Sequence, residues 1–223
     1  MGCLPGGRKG TVHTVYCKEP LEKYLNDAAA GTPTPGGGSV SALASALGTT
    51  MASMSVNMTV GRPKFEEVEV LLKDKGKKFE QARIEFLELM HKDMEVYQCV
   101  LDAYKLPKVK PDEKERRTEA IQNALKGAMG VPLRLLRRSL AVLEDLAQIV
   151  DKVNPNLIGD IAVAAVLAQA GLRGGWINVH ANLVYIKDEG LNKKTRTEVD
   201  HAVKRAEALF KDIMAKVEGA FTK

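Results

Sequence analysis

The chain has 223 residues, of which 45% are hydrophobic and 27% charged, with a net charge of +5. That is an ordinary globular balance, large enough for one sizeable domain whose core needs no cross-links. Aromatic residues make up only 5%, which favours helices packed through small side chains over a β-sandwich. The mild basic excess suits an anionic partner. No segment has the aromatic platform, zinc finger or basic zipper of a nucleic-acid binder, so nucleic acid is not the expected partner.

Residues 1–17 are glycine-rich and irregular, and are expected to form a flexible leader before a single domain spanning 18–223. They lack the apolar core of a secretory signal. Gly6 stands where the myristoylation pattern after Met1-Gly2-Cys3 needs Ser or Thr. Cys3, Cys17 and Cys99 are odd in number and widely spaced, which argues against a disulfide framework and for a reducing, cytoplasmic setting. His13, His91, His180 and His201 show no metal-ligand spacing, so no metal is expected.

Pro20 sits well at the start of a first helix running to about Ala30. The segment Gly31-Thr32-Pro33-Thr34-Pro35-Gly36-Gly37-Gly38 is a loop, after which Ser39 is placed to cap a helix reaching about Val60. From Gly36 to Gly61 no residue is charged, a length that would span a bilayer. Its many Ser and Thr residues make it too polar for lipid, so it reads as a helix buried in protein, and no membrane is expected. Lys64 to about Lys105 reads as a long helix with Leu87, Met90, Met94, Tyr97 and Leu101 on one stripe. Acidic residues at Asp112 and Glu113 suit the next helix start. Gly130 and Pro132 predict a break, and Pro132 the start of a helix to about Lys152. Asn154-Pro155-Asn156 is a turn. Ile161–Leu172 and Trp176–Lys187 are read as two helices separated at Arg173-Gly174-Gly175, before a last helix over about 194–218. No strand alternation appears, so the sequence predicts an all-α fold of seven or eight helices in a single bundle with long antiparallel members.

Four places carry chemistry. The glycines before Ser39 let backbone approach a ligand closely, and the helix behind them offers free N–H groups for an anion. A tight interhelix turn explains the same glycines equally well. Asp93 lies roughly 40° from Tyr97 and 60° from Met90 around its helix. It therefore flanks the apolar stripe, where partial desolvation raises a carboxyl pKa toward acid/base use. An edge-of-core Asp paired with Lys or Arg is the structural alternative. The basic run Lys105, Lys108, Arg116, Arg117, Arg134, Arg137 and Arg138 is either a solvated face or a surface for a carboxylate-rich ligand. Asn178 and Asn182 share a helix face, and their amides need partners from backbone, each other or a heterocycle.

Taken together, these blocks resemble the cyclodeaminase domain of formiminotransferase-cyclodeaminase and its stand-alone bacterial relatives. The matching elements are Thr34-Pro35-Gly36-Gly37-Gly38-Ser39-Val40-Ser41-Ala42, then Asp93-Met94-Glu95-Val96-Tyr97. Leu106-Pro107-Lys108 follows with Pro111 to Thr118 and Val131-Pro132-Leu133. The last block is Asp160-Ile161-Ala162-Val163-Ala164 with Asn178-Val179 and Asn182-Leu183. The family usually has Ser before the Asp of that block, where this chain has Gly159. The resemblance implies an all-helical homodimer with folate sites near the subunit interface. Its implied reaction is conversion of 5-formimidoyltetrahydrofolate to 5,10-methenyltetrahydrofolate with loss of ammonia. The alternatives are methenyltetrahydrofolate cyclohydrolase and a non-catalytic folate-binding dimer. No separate cofactor is implied, since the tetrahydrofolate derivative is the substrate. Asp93 resembles the catalytic aspartate. The implied substrate-binding residues are Pro35, Gly36, Gly37, Gly38, Ser39, Tyr97, Lys108, Arg116, Arg117, Asp160, Asn178 and Asn182, with Lys108 and the arginines toward a polyglutamylated tail. The chain is too short to hold a transferase domain as well.

Overall fold

The computed structural model describes residues 15–222. Among them there are six α-helices and no strand: α1 (Leu21–Ala29), α2 (Gly37–Asn57), α3 (Glu69–Tyr104), α4 (Pro111–Ile149), α5 (Ile158–Leu183) and α6 (Glu189–Phe221). Short 3-10 turns precede α1, α3 and α5. Most of the expected leader lies outside the described residues. Tyr16 is already tied to the domain, donating its hydroxyl to Asp27 at 2.8 Å.

α2 runs between α3 and α5 and is antiparallel to both. Ser39 meets Asp93 at one end and Val56 faces Gly76 at the other, while Gly37 faces Asn178 and Gly48 faces Ala164. α4 packs across α3, α5 and α6. The uncharged segment is therefore a core helix, as its composition predicts. Most of its buried hydroxyls are satisfied within the helix or across it, Ser53 Oγ being the exception. Thr49 and Thr59 donate to carbonyls one turn back, and Ser45 and Ser139 pair at 2.9 Å between α2 and α4. Satisfied this way, buried hydroxyls avoid the desolvation cost of an orphan polar group.

Two predicted breaks are absent, which reduces the expected seven or eight helices to six. α4 passes through Pro132 without ending. α5 passes through Gly174 and Gly175, because those glycines serve packing. A side chain on Gly171 would run into Ser45 and one on Gly174 into Ser41. A Cβ at Gly175 would lie 3.0 Å from the Pro132 carbonyl. The missing Cβ atoms thus let α5 press against α2 and α4 backbone to backbone. The N-termini also differ from expectation. Gly36, not Ser39, is the N-cap of α2. The last helix starts earlier than Lys194, at Glu189, because Asp188 caps it by accepting the Leu191 N–H at 3.0 Å.

Pro155–Leu183 is long and apolar enough to cross a membrane by length and composition, yet α5 packs against α2, α4 and α6. Cys17 is a free, exposed thiol.

Candidate active site

The start of α2 and the middle of α3 converge on one carboxyl group. The loop from Gly31 enters through a cis Thr34–Pro35 bond and a buried Pro35. Gly36 then caps the helix, so Gly37, Gly38 and Ser39 fill its first turn. These N–H groups have no acceptor within their own helix. Ser39 directs its N–H to Asp93 Oδ2 at 3.0 Å. A Cβ on Gly38 would collide with the Asp93 carboxylate, so only glycine lets the helix end come this near.

Asp93 is largely buried, and its pKa is pushed upward, burial being the main cause and the Ser39 N–H a smaller opposing one. Among the described residues no Lys or Arg forms an ion pair with it. A carboxyl group without a cation, held at a helix N-terminus, is stabilised as an anion by donor and dipole and destabilised by desolvation. Such opposed influences keep a carboxyl able to take and return a proton.

The remaining predicted residues fall into three groups. Asn178 lies beside the glycine turn, its amide nitrogen 3.7 Å from where a Gly37 Cβ would stand. Asn178 donates to the Gly174 carbonyl and Asn182 to the Asn178 carbonyl, each at 2.8 Å. The amides thus find backbone partners, and their side-chain oxygens retain acceptor capacity. Tyr97 is exposed one turn beyond Asp93. Tyr104 is exposed on the same face, about 20° from Asp93 around the helix and about 16 Å along it.

The basic residues stand beyond Tyr104. Lys108 and Arg116 are exposed. Arg117 donates to the Tyr104 carbonyl and covers its ring at 5.6 Å. Arg134 and Arg137 are paired with Glu85 and Glu198, and Arg138 bridges Glu85 as well, so these three belong to the solvated, ion-paired reading. Asp160 lies in the first turn of α5. It is eighteen residues from Asn178 on one helix, about 27 Å away, so within a single chain it does not join the Asp93 group.

Sequence reasoning missed two aromatic residues. Tyr104 had a signal, its spacing of eleven residues from Asp93. Tyr24 had none. It is the one buried residue of α1, and its hydroxyl meets the Ser39 hydroxyl at 3.0 Å.

Residues 20–201 match the family model described as formiminotransferase-cyclodeaminase. The chain belongs to the formiminotransferase-cyclodeaminase family. A methenyltetrahydrofolate cyclohydrolase of Methylorubrum extorquens is 38% identical over 192 residues, covering 86% of this chain and 92% of that one. A formimidoyltransferase-cyclodeaminase of Rattus norvegicus is 32% identical over 83% of this chain, which spans only 34% of the rat protein. The crystal structure of a formiminotetrahydrofolate cyclodeaminase from Thermotoga maritima superposes with a TM-score of 0.82 at 30% identity, covering 91% of this chain and 97% of that one. The relatives are thus folate one-carbon enzymes, and the shared fold is the all-helical bundle described above.

Proposed function

We propose that the chain opens or closes the one-carbon bridge between N5 and N10 of a tetrahydrofolate, with Asp93 moving the protons. The observation that carries this is the largely buried Asp93 carboxyl against the first turn of α2, with no cation paired to it among the described residues.

Hydrolysis of 5,10-methenyltetrahydrofolate is the first reading, because the M. extorquens relative, matched over nearly the full length of both chains, carries that name. Water adds to the bridging carbon and gives one proton to the Asp93 carboxylate. The carbon–N5 bond then breaks as Asp93 returns that proton to N5. The carbinol O–H proton passes to solvent as the formyl carbonyl forms. The products are 10-formyltetrahydrofolate and one proton.

Cyclodeamination is the second reading, favoured by the likeness to the T. maritima structure and by the matching sequence blocks. Here N10 attacks the carbon of the protonated formimidoyl group, and Asp93 takes the N10 proton. Asp93 hands it to the amino group, which leaves as ammonia. Both reactions pass through a tetrahedral carbon, and in both the substrate itself holds one reactant in place.

The surface supports one placement of the ligand. Pterin edges would be read beside Gly36, Gly37 and Asn178, with Asn182 one turn on. The aminobenzoyl ring and tail would follow Tyr97 and Tyr104 toward Lys108, Arg116 and Arg117. Those cations meet a polyglutamylated tail through charge.

A homodimer is part of this proposal. Val40, Leu47 and Met54 recur at seven-residue steps on α2, as do Val163, Ala170 and Ile177 on α5, with Val184 just past its end. Leu47 and Ile177 are 51% and 58% exposed. Heptad-spaced apolar side chains on neighbouring antiparallel helices suit a self-complementary interface. A two-fold axis across their middle would bring Asp160 of the partner subunit to the Asn178 end. That gives the fourth sequence block a place beside the other three.

The test follows the methenyl chromophore against enzyme-free controls from both substrates. Faster loss from 5,10-methenyltetrahydrofolate supports hydrolysis. Faster appearance from 5-formimidoyltetrahydrofolate, with ammonia released, supports deamination. Folded protein that binds folate but is silent in both would leave the non-catalytic folate-binding dimer.

A further inference from the structure

We infer that Tyr24 is a positioning residue for Asp93, acting through the Ser39 hydroxyl and the first turn of α2. The inference rests on the proposed role of Asp93 in proton transfer.

Tyr24 is 3% exposed, and its hydroxyl and that of Ser39 share one hydrogen bond of 3.0 Å. Ser39 is wholly buried, and its N–H is the group that reaches Asp93. One residue thus receives the phenol through its side chain and presents a donor to the carboxylate through its backbone. Movement of the phenol therefore moves the donor.

The phenol is fixed independently of the site. Tyr16 meets the Tyr24 ring edge-on with centroids 5.1 Å apart. The Tyr16 hydroxyl is held by Asp27, which Lys23 also bridges at 2.8 Å. His91 stacks behind Tyr16 at 6.4 Å and is anchored to the Leu87 carbonyl. The charge of Asp93 adds to the burial that raises the Tyr24 pKa, so the two groups lie within each other's field. The titratable groups around this corner are therefore Lys23, Tyr24 and Asp27 from α1, Tyr16, Cys17 and Glu19 from the preceding turn, and His91 from α3. From α5 the neutral Asn178 faces the glycine turn.

Anchoring α1 to the bundle would account for a buried tyrosine but would leave the Asp93 titration unaffected. The deciding measurement is a 13C NMR titration of the aspartate carboxyl carbons in the unliganded full chain. It compares wild type, Tyr24→Phe and Ser39→Ala, with Asp93→Asn identifying the Asp93 signal. Loss of either hydroxyl loosens the Ser39 N–H and moves the Asp93 midpoint further up, by about half a pH unit. In turnover, Tyr24→Phe lowers kcat about three- to tenfold with KM within about twofold, the pattern of a misplaced reacting group.

An Asp93 midpoint unmoved or lowered in both variants overturns the inference, whatever happens to melting temperature. If Tyr24→Phe does not fold, Ser39→Ala decides alone. The titration needs no folate. An upward shift in a protein inert toward both substrates would keep the positioning role and overturn the proposed function instead.

Discussion

Asp93 and Asp145 are two largely buried carboxyl groups handled in opposite ways. Asp145, on α4, meets Lys75 of α3 at 2.6 Å, with side-chain exposures of 14% and 5%. Asp93, elsewhere on α3, meets a backbone N–H and, among the described residues, no cation. In the first case the interior charge is neutralised and two helices are registered. In the second the burial cost is only partly offset by the Ser39 N–H, and the carboxyl pKa is raised. Perturbed, unpaired carboxyls of that sort mark chemistry more often than architecture.

The largest expected effect comes from removing the unpaired group. Asp93→Asn keeps the shape, and turnover should fall about 10²–10⁴-fold, the usual contribution of acid–base catalysis, with the fold retained. The paired carboxyl responds the other way. Lys75→Ala strands Asp145 in the interior and should cost about 3–5 kcal/mol of stability, read in denaturant unfolding. Specific activity of the folded fraction should stay within about twofold. If Lys75→Ala instead abolished turnover in folded protein, the division between the two carboxyls would be wrong.

Gly38→Ala places a methyl group against the Asp93 carboxylate. It should lower kcat about a hundredfold through displacement of the reacting group, with a smaller loss of melting temperature. Gly127→Ala, where an added Cβ meets nothing within 4 Å, is the control and should leave activity unchanged.

The pH dependence separates the carboxyls more finely. The folded Asp93 pKa lies above its ordinary value of 3.8. Below that ordinary value both folded and unfolded states are protonated and burial carries no penalty. As pH rises toward and through the folded pKa, the unfolded state ionises more readily and that stability is lost. Asp93→Asn does not ionise there. Its melting temperature relative to wild type should therefore rise with pH across this window and level off above it. A constant difference would contradict the raised pKa. The smallest effect is expected from the tail surface. Lys108→Ala with Arg116→Ala should raise KM for a polyglutamylated folate several-fold and that for a monoglutamate less, with kcat unchanged, because exposed charges contribute little each.

Much of this was legible in the sequence for physical reasons. The long helices follow from three-four periodicity, and the burial of α2 from its lack of charge beside many hydroxyls. Asp93 was visible because its angle to Met90 and Tyr97 can be counted. Glycine and proline were less readable, because they mark either a break or a close approach. Gly174, Gly175 and Pro132 are close-packing positions inside continuous helices. The cap of α2 was shifted by three residues, which hid that the Ser39 N–H is spent on Asp93. Tyr24 was unreadable, because nothing local in a nine-residue helix says what its one buried ring will meet. The separation of Asp160 from Asn178 follows only once α5 is known to be unbroken.

The most direct test of the central claim is the methenyl-chromophore assay on Asp93→Asn beside wild type, with helical content and melting checked on the same samples. Wild type should accelerate the change in one of the two folate substrates, and folded Asp93→Asn should lose about 10²–10⁴ of that rate. Wild-type turnover retained by a folded Asp93→Asn protein would contradict it.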